Sequence, residues 1–453
     1  MNKKIGLFLV IMLIVNSIDS IRNLPATALF GSNLIFFFIF SAIVFLIPTA
    51  LVSAKLAQKF PNQGGIYYWV KQAFGHRMAF LAVWLQWINT LIWYPTILSF
   101  IAATAVYIFD EKLAQNKFYL ISTILGTFWL LTYINLKGIK TSAIFNSICG
   151  IIGTIIPMAF IIILGLTWGL SGKPLQIHFA LHDLLPSFNE SKNWISLTAI
   201  ITAFLGMELT AVHVNHIKNA QKIYPKAVIL SAIIILITLT LGSLAIAFVL
   251  PHHDINLVDG VLQAFAAFFA AYHLSWLMPI MTLLILIGTF GGIINWVISP
   301  AKGLLQAAED GYLPKLLCNQ KNILILQGLL VTLFCSAYLL MPSVNGSYWL
   351  LTALSTQLYV LMYVIMFFAA IALNYKSLPM WCLSLLGITG CCITLIIGFF
   401  PPDGINVGGF LHYETIFTTA MIALILPVGG FYFYNKLNGV KINANLSITP
   451  QET

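Results

Sequence analysis

Long runs of apolar residues alternate along the chain with short clusters of proline, glycine, asparagine and lysine. Most runs hold about 20 residues, the length an α-helix needs to cross the hydrocarbon core of a bilayer. They lack the apolar–polar alternation over about ten residues that is typical of an outer-membrane β-strand. The pattern predicts twelve membrane-spanning helices. Their approximate bounds are 5–31, 33–55, 79–108, 118–136, 144–170, 194–216, 226–250, 275–303, 322–341, 347–373, 379–400 and 412–434.

One further apolar stretch, from Asn256 to Tyr272, follows a loop rich in histidine and aspartate. We expect it to be re-entrant or interfacial. Composition agrees with a membrane protein, since 60% of the residues are hydrophobic and only 8% are charged. Soluble proteins carry about 25% charged residues, so a soluble enzyme and a disordered chain are both excluded.

In a soluble protein, the net charge of +9 would suggest binding to nucleic acid. In a membrane protein it indicates how the chain is oriented across the membrane. With the N-terminus inside, seventeen of the 22 Lys and Arg residues lie on inner loops and four on outer loops. Cytoplasmic loops of membrane proteins are enriched in these residues. The bias predicts cytoplasmic termini, and no nucleic-acid partner is expected.

Three ionisable residues fall inside predicted helices: Asp19, Arg22 and Glu208. Each costs roughly 2.5–3.5 kcal/mol at mid-membrane on insertion scales, so a functional role is the default hypothesis. Six polar side chains and Pro25 occur within residues 16–25 of helix one. Proline removes a backbone donor and clashes with the preceding turn. We therefore predict that helix one is broken.

Helix six has a matching interruption around Gly206 and Glu208. Interruptions at corresponding positions of two halves indicate a transporter built from inverted repeats, with its binding site at the breaks. Because helices one and six are five apart, we predict two five-helix repeats, about 5–170 and 194–373. Two extra helices (about 379–434) and a short cytoplasmic tail (436–453) would complete a single domain.

The buried charges have alternative explanations. Asp19 and Arg22 are three residues apart on one helix face, so they could form a structural ion pair or bind a ligand. Glu208 has no partner close in sequence. It could be a protonated carboxyl group packed between helices, or a substrate-binding and proton-coupling residue, which we favour because it lies beside the predicted cavity.

Aromatic residues supply further candidates. Tyr359 and Tyr363 lie one turn apart in the middle of helix ten, where a buried hydroxyl needs a partner. Trp296 follows Gly288 in helix eight, and glycines there permit close helix packing. The sequence contains no phosphate-binding loop, nucleophile elbow or zinc-ligand set. We expect no catalytic residue, no metal and no cofactor, and hence no enzyme.

Several segments resemble the amino acid–polyamine–organocation transporters, and most closely their bacterial glutamate/GABA antiporters. The shared segments are Gly64 to Val70, Gly206 to Pro225 including Glu208, Trp296 to Pro300 leading to Gly311 to Pro314, and Phe399 to Asp403. The match covers nearly all of residues 5–435. The resemblance implies ten helices in two inverted repeats plus two more, in a bacterial inner membrane. It also implies exchange of an amino acid for a related amine or amino acid.

In that family a glutamate of helix six, two tyrosines of helix ten and a tryptophan of helix eight line the substrate path. The matching residues here are the ones that the buried-polar pattern selects. The candidate substrate-binding residues are Asp19, Arg22, Asn23, Gly206, Glu208, Trp296, Tyr359 and Tyr363, with Glu208 also the candidate for proton coupling.

Two departures from the family are evident. Relatives have an aromatic–acidic–aromatic–proline run in helix one, whereas this chain has Arg22-Asn23-Leu24-Pro25. A guanidinium at that position changes the charge of the site, so the substrate does not carry over. Relatives also have a longer C-terminal extension that plugs the cytoplasmic path, and we expect that plug to be absent here.

The sequence thus predicts a secondary amino acid transporter, an antiporter with pH sensitivity that works by alternating access. Its partners would be a small amino acid or amine, the lipid bilayer and protons. A proton-coupled symporter of the same fold is the alternative. A non-transporting sensor or channel is a third possibility, from a different class.

Overall fold

The computed structural model describes residues 5–60, 65–137, 149–186, 194–374, 376–402 and 404–437. Regular structure within these ranges is helical, apart from one isolated parallel bridge between Ile5 and Ile217. Ten helical segments of the described chain are long and apolar enough to cross a membrane. The predicted all-helical membrane fold is confirmed.

The helical segments follow the predicted order, and we number them accordingly. They are α1 (Leu7–Ile18, then Leu24–Ala28), α2 (Leu34–Ser41, Ala42–Leu46 and Ile47–Lys59), α3 (Ile66–Val106), α4 (Lys117–Leu136), α5 (Ile151–Ile155 and Ile156–Leu170), α6 (Ser196–Phe204, then Leu209–His216), α7 (Ala220–Val249), α8 (Met278–Glu309), α9 (Gln320–Phe334), α10 (Val344–Leu373), α11 (Leu378–Ile397) and α12 (Phe410–Leu437). Shorter helical pieces connect them. These are Ile21–Asn23, Gly31–Asn33, Glu111–Gln115, Leu181–Leu184, His252–Asp254, Gly260–Ala271, Ser275–Leu277, Lys315–Leu317 and Ala337–Leu340.

Both predicted helix breaks are present. The first half of α1 ends at Asp19, whose backbone is extended (φ −70°, ψ 93°), and Pro25 lies in the first turn of the second half. The first half of α6 ends at Leu205, also extended, and Gly206 follows with φ +110°. Only glycine adopts such a φ without strain. Each break leaves backbone groups without their helical partners, which need other partners in a membrane.

The packing of the helices repeats at an interval of five. α3 packs against α10, and α8 packs against α5; α1 packs against α7, and α6 packs against α2. Helices one to five of the first half correspond to helices six to ten of the second. Replacing each helix by its counterpart converts the α3–α10 contact into the α8–α5 contact, and the α1–α7 contact into the α6–α2 contact. Two inverted five-helix repeats produce this pattern. The predicted repeat boundaries themselves stay a prediction.

The α5–α8 contact brings two backbones together without side chains between them. A Cβ atom on Gly153 would lie 2.0 Å from the Cα of Gly288, which is far too short for two non-bonded carbon atoms. Close approach through small residues is the usual way in which membrane helices associate. The packing role predicted for the glycines of helix eight is thus observed at Gly288.

Several elements differ from their predicted bounds, among them α7, which begins at Ala220 rather than at 226. The predicted helix at 79–108 is the second part of one long helix that begins at Ile66 and kinks at Gly75, where φ is +79°. α8 runs about six residues further than predicted, to Glu309. The stretch from Asn256 to Tyr272 forms the helix Gly260–Ala271, which we call the outer helix from its place in the predicted orientation. The predicted tail at 436–453 lies mostly outside the described residues.

Candidate functional site

A carboxylate held by three side-chain donors occupies the break in α6. Glu208 is only 1% exposed. The Tyr359 hydroxyl donates to its Oε1 at 2.5 Å, the Tyr363 hydroxyl donates to its Oε2, and Gln86 Nε2 donates to Oε1 at 3.2 Å. The structure therefore brings together three residues that the sequence selected, with Gln86 of α3 as an additional member.

The same cluster repairs the broken backbone of α6. The N–H of Gly206 donates to the Tyr363 hydroxyl at 2.8 Å, so one phenol links the unwound backbone to the carboxylate of Glu208. Tyr359 and Tyr363 lie side by side with ring centroids 5.2 Å apart. Because every donor to the carboxylate is neutral, Glu208 can exchange these partners for a ligand group without breaking an ion pair.

A second buried charge, that of Arg22, lies in the short helical turn Ile21–Asn23 between the two halves of α1. Arg22 is 3% exposed, and its Nη1 donates to Thr96 Oγ1 at 2.8 Å and to the Tyr348 hydroxyl at 3.1 Å. Its guanidinium carbon lies 5.2 Å from the ring centroid of Trp93 and 6.0 Å from that of Tyr348. A cation over an aromatic face is attracted by the ring quadrupole. Arg22 Nε is buried and has no hydrogen-bond partner.

The ion pair between Asp19 and Arg22, one of the two predicted alternatives, is not formed among the described residues. Asp19 Oδ2 instead accepts a hydrogen bond from Thr238 Oγ1 of α7 at 2.8 Å, and Oδ1 is buried without a partner. The helix-face argument failed because the helix stops between the two residues. Extended backbone at Asp19 and Ser20 turns the two side chains toward different helices.

Asn23 is buried beside Arg22 and precedes the second half of α1. Gly206 forms the break in α6, as described above. Trp296 lies on α8, but its side chain falls outside what the structure describes.

Polar side chains form a continuous row between α3 and α10, which we call the polar seam. Its members are Gln86, Asn89, Trp93 and Thr96 on α3, and Tyr348, Thr352, Ser355, Tyr359 and Tyr363 on α10. Ser355 donates to Asn89 Oδ1 in the middle of the row. The spacing of three and four residues keeps each set on one helix face. The α3 members were missed by the sequence reading, although their spacing in an apolar run was visible there.

The inner end of the bundle, in the predicted orientation, is held by a cluster around Asp310 at the end of α8. Lys71 Nζ lies 3.1 Å from Asp310 Oδ2, His76 Nδ1 lies 3.4 Å from it, and the Tyr67 hydroxyl donates to it. Desolvation raises the pKa of Asp310, but the hydrogen bonds from Tyr67 and Lys71 and the nearby positive charge outweigh it, and the pKa is lowered. The cluster ties the first turns of α3 to the end of α8.

The outer end is held by Asp259, which precedes the outer helix and is 3% exposed. The Tyr107 hydroxyl donates to its Oδ2 at 2.9 Å, and Gln115 Nε2 donates to its Oδ1 at 3.0 Å. Burial raises the pKa of Asp259 to about 6. The next residue, Gly260, lies against the second half of α1, where an added Cβ would be 2.9 Å from Pro25 Cβ.

Comparisons with known proteins agree with this architecture. The family model described as amino acid permease matches residues 5–425. The chain belongs to the amino acid permease family. It is 40% identical to an uncharacterised transporter of Legionella pneumophila subsp. pneumophila, over 93% of this chain and 95% of that protein. It is 27% identical to a glutamate/gamma-aminobutyrate antiporter of Lactococcus lactis subsp. lactis, over 96% of this chain and 91% of that protein.

A glutamate/gamma-aminobutyrate antiporter of Lactococcus lactis subsp. cremoris is 30% identical over 73% of this chain and 68% of that protein. The family and these relatives are transporters rather than enzymes. The resemblance seen in the sequence motifs is confirmed. The protein is therefore a multi-pass membrane transporter of a bacterial family, whose substrates are small amino acids or amines.

Proposed function

We propose that the protein is an amino acid antiporter of the glutamate/GABA exchanger type, working by alternating access in the bacterial inner membrane with both termini in the cytoplasm. The observation that carries the proposal is the position of Glu208. It lies in the break of α6 with Tyr359, Tyr363 and Gln86 on its carboxylate. A carboxylate with exchangeable neutral partners at a helix break suits reversible binding of an amine or a proton.

The remaining candidate residues have assigned roles in this proposal. The backbone groups freed at the breaks, near Asn23 and Gly206, bind the α-carboxylate and α-amino groups, as broken helices of transporters do. Asp19, with one oxygen unpartnered, lines the α1 break, and Trp296 lines the path from α8. The repeats at about 5–170 and 194–373 move relative to each other, and the helices at about 379–434 support them.

Alternating access requires that the two ends of the path open in turn. The Asp310 cluster at the inner end and the Asp259 contacts at the outer end are the connections that must break and reform. Each joins elements from different parts of the bundle, and each is built on a carboxylate that water can solvate when the contact opens. The transport cycle is then sensitive to pH, because Asp259 and Asp310 pass between a protein contact and water as the two ends open and close.

The test is exchange in proteoliposomes. Uptake of a labelled amino acid should be fast when the vesicles contain unlabelled amino acid and slow when they are empty. Uptake that ignores internal substrate would contradict exchange while leaving transport intact. Uptake into empty vesicles driven by a pH gradient would indicate a proton-coupled symporter of the same fold.

Glu208→Gln tests the proton-coupling role. The amide keeps the shape of the side chain but cannot titrate, so we expect exchange that depends less on pH than in the unmodified protein. Asp254→Asn, at a carboxylate that is 60% exposed, is the control and should keep the original profile. An unchanged pH profile in Glu208→Gln would remove Glu208 from proton coupling. A single-channel conductance in planar bilayers would favour a channel over a carrier.

A further inference from the structure

The guanidinium of Arg22 is hydrogen-bonded to the protein through only one of its three nitrogens. Nη1 donates both hydrogen bonds that the side chain makes within the described chain, to Thr96 at 2.8 Å and to Tyr348 at 3.1 Å. Nε is buried and has no partner. The edge formed by Nε and Nη2, which we call the free edge, therefore has no protein acceptor in the described ranges. It presents two parallel N–H donors.

The positive charge of Arg22 is not balanced by its surroundings. Among the described residues no carboxylate lies within ion-pair distance of the guanidinium, and Asp19 is hydrogen-bonded to Thr238 instead. The groups around Arg22 are two hydroxyls and the rings of Trp93 and Tyr348, all neutral. An unpaired buried charge is strongly destabilising. Arg22 therefore needs a counter-ion that the described chain does not supply.

The hydroxyl groups beside Arg22 restrict what that counter-ion can be. The Tyr348 oxygen accepts a hydrogen bond from Arg22, and its own O–H has no acceptor in the part of the chain that the structure describes. The Thr96 hydroxyl accepts from Arg22 and donates to the backbone carbonyl of Trp93. The neighbourhood thus offers a ligand N–H and O–H donors. This suits an anion that carries no proton of its own.

The guanidinium of Arg22 and the carboxylate of Glu208 lie at different levels of the polar seam. Arg22 contacts Thr96 and Tyr348, whereas Glu208 contacts Gln86 and Tyr359. These contact points are ten residues apart on α3 and eleven apart on α10, which corresponds to about 15 Å of helix. An ion at the free edge is therefore separate from a ligand group at Glu208, and lies outward of it in the predicted orientation.

We infer that the free edge of Arg22 binds a small monovalent inorganic anion of the chloride type, at a site distinct from the proposed substrate position. One negative charge neutralises the guanidinium, whereas a dianion such as sulfate would leave a surplus charge in a medium of low dielectric constant, where charge is costly. The ion leaves both Nη1 hydrogen bonds in place. It thus balances the charge of the residue that links the α1 turn to α3 and α10.

Equilibrium binding of radiolabelled chloride to the purified protein tests this inference. The buffer contains sulfate as its anion, because a dianion should not compete for the site. We expect saturable binding of one chloride per chain, displaced by unlabelled bromide or nitrate but not by additional sulfate at equal ionic strength. Binding that does not saturate, or that sulfate displaces as well as bromide does, would overturn the inference, whatever the variants do.

Substitutions of Arg22 locate the ion. Arg22→Gln removes the charge and the parallel donors, so the affinity for chloride should fall about 10- to 100-fold, the range expected for hydrogen bonds to a charged group. Arg22→Lys keeps the charge but not the two parallel donors, and should have an intermediate affinity. Arg77→Gln is the matched control at an exposed arginine and should bind chloride as the unmodified protein does. Unaltered affinity in Arg22→Gln would overturn the inference.

Amino acids distinguish the anion site from the substrate path. L-glutamate, L-glutamine and GABA each carry a carboxylate that could contact Arg22 in place of chloride. Because the free edge lies outward of Glu208, we expect none of the three to displace the labelled chloride. Displacement by any of them would assign Arg22 to a substrate carboxylate, and the inference would be wrong. Chloride binding without exchange of any amino acid would overturn the proposed function and leave the inference standing.

Discussion

Replacing Asp259 with asparagine should change how the stability of the protein depends on pH. Asp259 holds the start of the outer helix against Tyr107 and Gln115. Burial raises its pKa from an ordinary 3.8 to about 6, although the two hydrogen bonds oppose the rise. Asparagine keeps the size and one acceptor oxygen but cannot ionise. The acceptor that asparagine lacks lowers the stability by the same amount at every pH, so the change in stability with pH isolates the effect of ionisation.

The direction in which stability changes with pH follows from proton binding. Between about pH 4 and 6 the folded protein binds a proton at Asp259 that the unfolded chain has released, so the free energy of unfolding falls as pH rises through this window. A difference of about two pKa units corresponds to about 3 kcal/mol. We expect this contribution to be present below pH 4 and lost above pH 6.

The assay is thermal unfolding of the purified protein in detergent, measured every half unit from pH 4 to pH 8. The melting temperature of the unmodified protein should fall relative to that of Asp259→Asn as pH rises from 4 to 6, and the two curves should run parallel above 6. Asp254→Asn, at a side chain that is 60% exposed, should track the unmodified protein throughout. Parallel curves for Asp259→Asn across the whole range would refute the argument.

Three other substitutions test contacts of the fold. Gly153→Ala should lower stability by about 1–3 kcal/mol in thermal unfolding, since its Cβ would meet Gly288 at 2.0 Å; Gly429→Ala, with nothing within 4 Å, is the control, and equal melting temperatures would contradict the close packing. Asp310→Asn should remove the stability that the unmodified protein loses in thermal unfolding as pH falls from about 3.8 through the lowered pKa of Asp310, and an unaltered acid profile would argue against the inner cluster. Gln327→Leu should cost about 1–3 kcal/mol in denaturant unfolding, because it leaves the buried indole N–H of Trp87 on α3 unpaired; an unchanged midpoint would show that water or another group replaces the amide.

The architecture was predictable because it depends on features that are local in sequence. Apolar runs define the helices, and Pro25 and Gly206 mark the two breaks. Glu208, Tyr359 and Tyr363 were selectable one at a time, since each is a polar residue in the middle of an apolar helix. Their meeting at one point follows from the packing of α6 against α10.

The partners of the charges were not predictable in the same way. Arg22 takes Thr96 of α3 and Tyr348 of α10, residues that lie 74 and 326 positions away. Asp19 takes Thr238 of α7. Spacing along one helix suggested that the two charges meet, but a break between them changes the direction of both side chains. Helical spacing predicts which side chains meet only where the helix is continuous between them.

The bridge between Ile5 and Ile217 has a consequence for how the protein is made. The N–H of Lys218 donates to the Ile5 carbonyl at 3.0 Å, so the chain just before α1 is joined to the chain just after α6. More than 200 residues separate the two strands of this bridge. At about 5–20 residues per second, the ribosome needs roughly 10–40 s to deliver the second strand after the first. The start of the first membrane segment must therefore wait, already inserted, until half of the protein has been synthesised.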